Sequence, residues 1–257
     1  GTDTTFQVTA TTSSGSNGTF RYTSNNSAVA SINASGTVTI NGVGYATFTV
    51  NQDSTDNYNA PVPLTAILTV IKGTPTIAVS NLSKSTVDPT FTFASSSASD
   101  GSRTFSSNTP GVATIHPSSG LVTIVGIVGT TTITVSQVAT TNYNAPSNAT
   151  ATLTVIKGTP ILSAFSIAPK IFGISPFAVT APASQNTVGA FYYTSDTLGV
   201  AKVTDGTTIT IVGAGSATIT ANQEATTNFN APTAITAILT VSKATPTIVV
   251  SNITKSS

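Results

Sequence analysis

Few side chains in this sequence could take part in a reaction, and their spacing argues against one. The carboxylates are Asp3, Asp53, Asp56, Asp88, Asp100, Asp196, Asp205 and Glu224. None forms the Asp-x-Asp loop that gathers several oxygens onto one calcium ion, so no calcium array is expected; Asp53 and Asp56 could at most share one weakly held ion. His116 is the single histidine, with no Cys or paired carboxylate beside it, and reads as a surface or turn residue ahead of Pro117. Cysteine is absent, which removes disulfides, thiolate metal sites and Cys nucleophiles. Gly42-x-Gly44 and Gly213-x-Gly215 are too short for a phosphate cradle, which needs a longer fingerprint and a following helix. A strand pattern follows both, so they read as tight turns with positive φ. The residues therefore predict no catalytic, cofactor-binding or metal site, and no enzyme.

What the sequence does carry is a repeat. Asn57-Tyr58-Asn59-Ala60-Pro61 returns as Asn142-Tyr143-Asn144-Ala145-Pro146 and as Asn228-Phe229-Asn230-Ala231-Pro232, at spacings of 85 and 86 residues. A fixed period of this size marks one folding unit copied in tandem. Asn and Tyr could line a sugar-binding patch. Phe229 argues otherwise, because a contact that used the phenol hydroxyl would not survive its loss in the third copy, whereas a packing ring does. Asn57, Asn142, Asn228, Tyr58, Tyr143, Phe229, Pro61, Pro146 and Pro232 are accordingly expected to be structural anchors: an aromatic lid on one end of each unit, with Asn bonding the turn backbone. Lys72, Lys157 and Lys243 also recur. A lysine–asparagine isopeptide staple needs an adjacent acid, and the positions matching Glu224 hold Val138 and Asp53, so no staple common to all units is expected. Asn-x-Ser/Thr sequons, such as those at Asn17 and Asn81, permit glycosylation only in a host that performs it.

The elements that hold these residues have a period of two. Thr47-Phe48-Thr49-Val50, Thr132-Ile133-Thr134-Val135 and Thr218-Ile219-Thr220-Ala221 alternate a hydrated Thr with an apolar residue, the pattern of strands with one wet face. In the second unit seven strands are predicted, near 76–80, 90–95, 102–106, 112–116, 121–125, 131–137 and 150–156, separated by turn signals such as Asp100-Gly101 and Ser119-Gly120. Seven short strands argue for an all-β, immunoglobulin-like sandwich, here without the Cys…Trp…Cys core. The predicted division is 1–72 for a first unit lacking its opening strand, 73–157, 158–243, and 244–257 as the first strand of a further unit. Linkers such as Lys72-Gly73-Thr74-Pro75 are short and hold proline, so a stiff rod is expected, on the order of 110–130 Å long. Charged residues are 7% of the chain and net charge is +1, which leaves no basic stripe for nucleic acid. The most apolar stretch, 161–179, is interrupted by Pro169, Lys170, Gly173 and Pro176, so no membrane insertion is expected in this segment.

Pro169-Lys170-Ile171-Phe172-Gly173, Pro176-Phe177, Tyr193-Thr194-Ser195, 200–203, the run 209–220 and Asn228-Phe229-Asn230-Ala231 together resemble the bacterial Ig-like repeat. The resemblance covers nearly the whole chain and is clearest in the third unit. The second departs at Lys84-Ser85-Thr86-Val87-Asp88. It implies a large bacterial surface or adhesin protein, or a phage or large-virus structural protein, on an extracellular, cell or virion surface, and carries no catalytic residues. The leading expectation is a non-catalytic spacer whose partners are neighbouring units of the same longer chain. The alternatives are an adhesion module that touches a glycan or host receptor through the varied loops 11–17, 98–102 and 182–189, and a virion fibre component. Self-association head to tail by strand addition is a further expectation, since 245–254 offers a spare opening strand.

Overall fold

The computed structural model describes residues 4–13 and 15–256; Asp3, Ser14 and Ser257, which figure in the sequence reading, lie outside the described residues. Every regular element among the described residues is a β-strand. The alternation explains why. In Gly129–Gln137 the inward Thr131, Ile133, Val135 and Gln137 are buried while their neighbours are half-exposed or exposed; Gly215–Gln223 repeats the pattern, and Gly44–Gln52 does so except at the half-buried Val50.

The strands form three sandwiches. In the second, one sheet runs Arg103–Ser107, Gly129–Gln137, Ala149–Ile156, Leu82–Ser85 in spatial order. The facing sheet runs Ala113–Ile115, Leu121–Ile124, Phe91–Thr92, and Ile77–Ala78 pairs with Ser96–Ser97. The third repeats this as Phe191–Ser195, Gly215–Gln223, Ile235–Ser242, Lys170–Ile171 against Ala201–Thr204, Thr208–Ile211, Phe177–Ala178. The first has Phe20–Ser24, Gly44–Gln52, Leu64–Val70 against Ala30–Ile32, Thr37–Ile40, Thr5–Gln7.

The seven predicted strands of the second unit are joined by two the sequence reading omitted. Ser96–Ser97 is a two-residue bridge. Leu82–Ser85 runs parallel to Ala149–Ile156, with Leu82 opposite Leu153. Lys170–Ile171 makes the same parallel pairing with Ile235–Ser242. On these two strands Lys84 and Lys170 lie over the rings of Phe91 and Phe177, at 4.9 Å and 4.7 Å. The second unit, whose sequence differs from that of the third at this point, thus keeps the lysine's contact. No parallel edge strand covers Leu64–Val70 in the first sandwich among the described residues.

Each sandwich has its own apolar interior. Ile133, Val135, Leu153 and Val122 centre the second, Ile209, Ile219 and Leu239 the third, and Val38, Ala46 and Phe48 the first. Separate interiors leave much surface exposed. The chain presents 15483 Å² to solvent, about half as much again as the roughly 10,500 Å² of one compact body of this mass. A buried glutamine closes one end of each sandwich: Gln52, Gln137 and Gln223 donate Nε2 to the carbonyls of Gly18, Gly101 and Gly189 at 3.0, 2.7 and 3.0 Å. These carbonyls border the loops whose sequences vary among the copies.

Candidate functional site at the joints between sandwiches

The glycine turn (Gly42-x-Gly44, Gly126-x-x-Gly129 or Gly213-x-Gly215) and the Asn-Tyr/Phe-Asn-Ala-Pro block lie at opposite ends of the same strand, Gly44–Gln52 or its counterpart. The turn of one sandwich therefore meets the block of the next. The turn is shaped by glycine. Gly44, Gly129 and Gly215 have φ of 137°, 154° and 145°, and a Cβ on any of them would sit 3.0, 3.0 or 2.9 Å from Cγ2 of Val29, Val112 or Val200. Packed this way, the turn leaves an amide N–H pointing outward. The Val43 N–H donates to Asn142 Oδ1 at 3.3 Å, and the Val128 N–H to Asn228 Oδ1 at 3.2 Å.

The block is braced from within. The Thr140 N–H donates to the Tyr143 carbonyl and the Thr226 N–H to the Phe229 carbonyl, each at 2.9 Å, as Thr55 does to Tyr58. This turn aims the Thr140 and Thr226 carbonyls at the preceding linker, where Lys72 and Lys157 donate Nζ to them, each at 2.7 Å. The linker backbone then bridges to the block: Gly73 to Tyr143 and Gly158 to Phe229. The N–H groups of Asn144 and Asn230 donate to the Gly73 and Gly158 carbonyls at 2.8 and 2.9 Å. The Nδ2 atoms of the same asparagines donate to Thr74 and Thr159 Oγ1 at 3.1 and 3.2 Å. One set of contacts, anchored by one set of sequence positions, thus occurs twice. Each hydrogen bond nets about 0.5–1.5 kcal/mol, so the set restrains the joint without fusing the sandwiches.

The aromatic follows the joint. Phe229 is 8% exposed, Tyr143 half-buried, and Tyr58, which meets no preceding sandwich in this structure, 44% exposed. The ring makes the contact: a Cβ at Gly73 would touch Cδ1 and Cε1 of Tyr143 at 3.4 Å, and one at Gly126 would lie 3.8 Å from Cζ of Phe229. The prolines are likewise exposed in the first copy and covered in the other two, with Pro61 exposed, Pro146 buried and Pro232 half-buried; Asn57 is exposed. The two joints differ at one point. In the second, the Thr86 hydroxyl accepts from the Gly158 N–H at 2.9 Å and donates to the Asn228 carbonyl at 2.9 Å, and Val87 packs against Gly158. In the first, the Gly73 N–H reaches the Asn142 carbonyl directly at 3.1 Å. A groove of about 450 Å³ lies beside that contact, lined by residues that include Val43, Leu68, Val70, Gly73 and Tyr143. The sequence alone did not reveal that Lys72 and Lys157 act across the joint. The signal was their fixed distance from the block, which was weighed only as a covalent staple.

The remaining candidates are local. Asp53 accepts from Arg21 Nε and Nη2 at 2.8–3.0 Å, which lowers its pKa and engages both its oxygens in a surface ion pair. Asp88 is lowered by bonds from the Ser85 hydroxyl and N–H, and Asp196 by the Thr197 hydroxyl and the Thr218 N–H. Asn25 and Asn108 accept the equivalent amide bond in the other sandwiches, from Thr47 and Thr132. Exposed His116 accepts turn amides through Nδ1 just ahead of Pro117, as its sequence position suggested. Among the described residues, no three His, Cys, Asp or Glu side chains gather where they could hold a metal. None of the described residues forms a helix long and apolar enough to cross a membrane.

Residues 4–54 match the family model of the intimin immunoglobulin-like domain. Three solved structures are similar over most of the chain. Mouse cadherin-23 EC22–24 is 12% identical, with 89% of this chain and 87% of that one covered and a TM-score of 0.30. Drosophila N-cadherin EC1–4 is 10% identical, with 92% and 69% covered and a TM-score of 0.27. Domains 1–6 of the surface-layer protein SbsC are 18% identical, with 90% and 36% covered and a TM-score of 0.32. No curated protein matches the sequence.

Proposed function

We propose that this chain is a non-catalytic spacer, a run of immunoglobulin-like sandwiches divided near 72/73, 157/158 and 243/244, that holds a more distal part of a surface protein away from its anchor. The observation that carries this reading is the duplicated joint. The same asparagine, lysine and aromatic positions meet the same turn and linker at both junctions. A joint that sets orientation by the same bonds each time turns a series of flexible domains into a rod of constant step. The block residues of the second and third copies, Asn142, Tyr143, Pro146, Asn228, Phe229 and Pro232, act as anchors of that step, and the proposed setting is extracellular. Small-angle scattering tests the reading. A maximum dimension on the order of 110–130 Å is expected. The combined variant Asn142→Ala, Lys72→Ala, Asn228→Ala, Lys157→Ala should broaden the distance distribution while circular dichroism keeps its β signature. A compact particle, or a distribution unmoved by the four changes, overturns the spacer.

A second reading, adhesion, is favoured by the intimin-type match over 4–54. It would use the varied loops held by Gln52, Gln137 and Gln223. Binding of the chain to a glycan array or to host cells, lost on exchange of those loops, would establish it; a blank result leaves the spacer alone.

A further inference from the structure

The second sandwich departs from the other two at one half-buried position. Phe20, Arg103 and Phe191 hold the same register, each opposite the buried glutamine of the neighbouring strand, Gln52, Gln137 or Gln223. Phe191 packs against the apolar interior of its sandwich. Arg103 puts a guanidinium where the other copies hold a ring. Its Nη1 donates to the Ser95 carbonyl at 2.7 Å. Among the described residues its Nε and Nη2 have no partner, and Asp100, close by in the chain, forms no ion pair with it. The fork is therefore tethered at one corner and unspent at the rest.

Arg103 lines a groove of about 540 Å³, within the roughly 300–1,000 Å³ of small-molecule sites; Asp100, Ser102, Ser118, Ser119 and Phe105 line it too. The lining is fixed from behind. Gln137 Nε2 donates to the carbonyls on either side of Asp100, those of Ser99 and Gly101, at 3.0 and 2.7 Å. A Cβ on Gly101 would collide with the Val138 carbonyl oxygen, so this loop closes on glycine. His116 Nδ1 accepts the N–H groups of Ser118 and Ser119 at 3.4 and 3.3 Å, which holds the turn that carries their hydroxyls. The Phe105 N–H donates to the Pro117 carbonyl at 2.9 Å and ties that turn to the strand of Arg103. Groups held this way lose little freedom when a ligand arrives.

From this arrangement we propose that the groove binds a saccharide unit bearing one carboxylate, a hexuronate. The planar guanidinium of Arg103 matches a carboxylate with two parallel N–H donors. Asp100 accepts from sugar hydroxyls, the three serine hydroxyls both donate and accept, and Phe105 offers the small apolar contact that a pyranose C–H face takes. Asp100 also sets a limit, because it repels a second negative charge and so disfavours phosphate or sulfated sugars. A peptide with a free C-terminus could meet Arg103, but its side chains would find no deep apolar pocket in a lining this rich in serine. The proposal rests on the adhesion reading and names its ligand class; the spacer does not depend on it.

Amide NMR titration of the whole chain tests the site, with a disaccharide ending in glucuronic acid and with its carboxyl-reduced analogue ending in glucose. The amides of Asp100, Ser102, Arg103, Ser118 and Ser119 are expected to shift with the acid, and the reduced sugar should bind at least about tenfold more weakly. Arg103→Phe installs the residue of the neighbouring copies, so its melting temperature should hold while affinity falls at least about tenfold. Arg103→Lys, which keeps the charge and loses the fork, should fall between. The site is overturned if these amides stay still up to about 10 mM acid, where affinity is already marginal. It is also overturned if the reduced sugar binds as well as the acid, or if inorganic phosphate or a short peptide with a free C-terminus shifts the same amides as strongly. An Arg103→Phe titration that matches the unaltered chain has the same consequence. Glycan or cell binding that persists in Arg103→Phe and is lost on exchange of loops 11–17 or 182–189 would sink this groove and leave the adhesion reading standing.

Discussion

Asn142 and Asn228 each hold a turn of the preceding sandwich by a single accepted hydrogen bond. Replacing Asn228 with alanine leaves the Val128 amide facing water, so the loss should be about 0.5–1.5 kcal/mol at the joint. Hydrogen exchange at the Val128 amide should speed up while exchange at Ile133, in the core of the same sandwich, stays slow. The aromatic position gives a graded test, since the same truncation falls in three environments. Phe229→Ala should destabilise its sandwich by about 3 kcal/mol, Tyr143→Ala by less, and Tyr58→Ala by little in a monomer, read from urea unfolding of each variant. The acids give the pH dependence. Asp53, Asp88 and Asp196 all have lowered pKa values in the fold. Their contribution is therefore present above the unfolded carboxylate value of about 3.9 and is lost as pH falls through the lower folded values. Thermal unfolding should be flat from neutral pH to about pH 5 and decline only below about pH 4. The decline should be shallow, because these groups are exposed and solvent screens them. Asp196→Asn should flatten it further without loss of stability at neutral pH, since asparagine already accepts the same amide bond in the other two sandwiches.

Elements whose residues alternate were legible because Thr and Val or Ile betray a wet and a dry face. Gly129–Gln137 was placed within two residues of its start on that pattern alone. The parallel edge strands were not legible. Leu82–Ser85 has one apolar residue among Ser and Lys, and it is fixed by register with Ala149–Ile156, a partner far along the chain. The joint was half legible. The block repeats visibly, and its aromatic was read as a packing ring, but a sequence does not say that the end it covers belongs also to its neighbour. The Gly-x-Gly turns were read as positive-φ turns, and Gly44 and Gly215 have that geometry. Gly215→Ala should consequently destabilise the third sandwich by more than about 1 kcal/mol, from the φ penalty and the clash with Val200. Gly111→Ala, with nothing within 4 Å of the new methyl group, is the neutral control by calorimetry.

At the level of the whole molecule, three interiors of unequal quality share one chain. The second and third sandwiches are covered on their parallel edges, and their central strands bury Leu153 and Leu239 completely. Among the described residues the first lacks that cover, and its buried cluster is smaller, with Leu68 and Val70 only partly inside. Apolar burial is the main favourable term in folding, so stability should rank with completeness of the interior. The joints supply too little to equalise the sandwiches, at about 1 kcal/mol per bond. Unfolding of the monomer should therefore be stepwise, with the first sandwich melting ahead of the other two. Calorimetry at low protein concentration should resolve an early transition carrying about a third of the enthalpy, in keeping with the near-constant enthalpy per residue of globular domains. Hydrogen exchange through that transition should release Leu64–Val70 and Gly44–Gln52 before Ala149–Ile156 or Ile235–Ser242. A single cooperative transition that frees all four strands together would mean that the joints couple the sandwiches more tightly than their few hydrogen bonds allow.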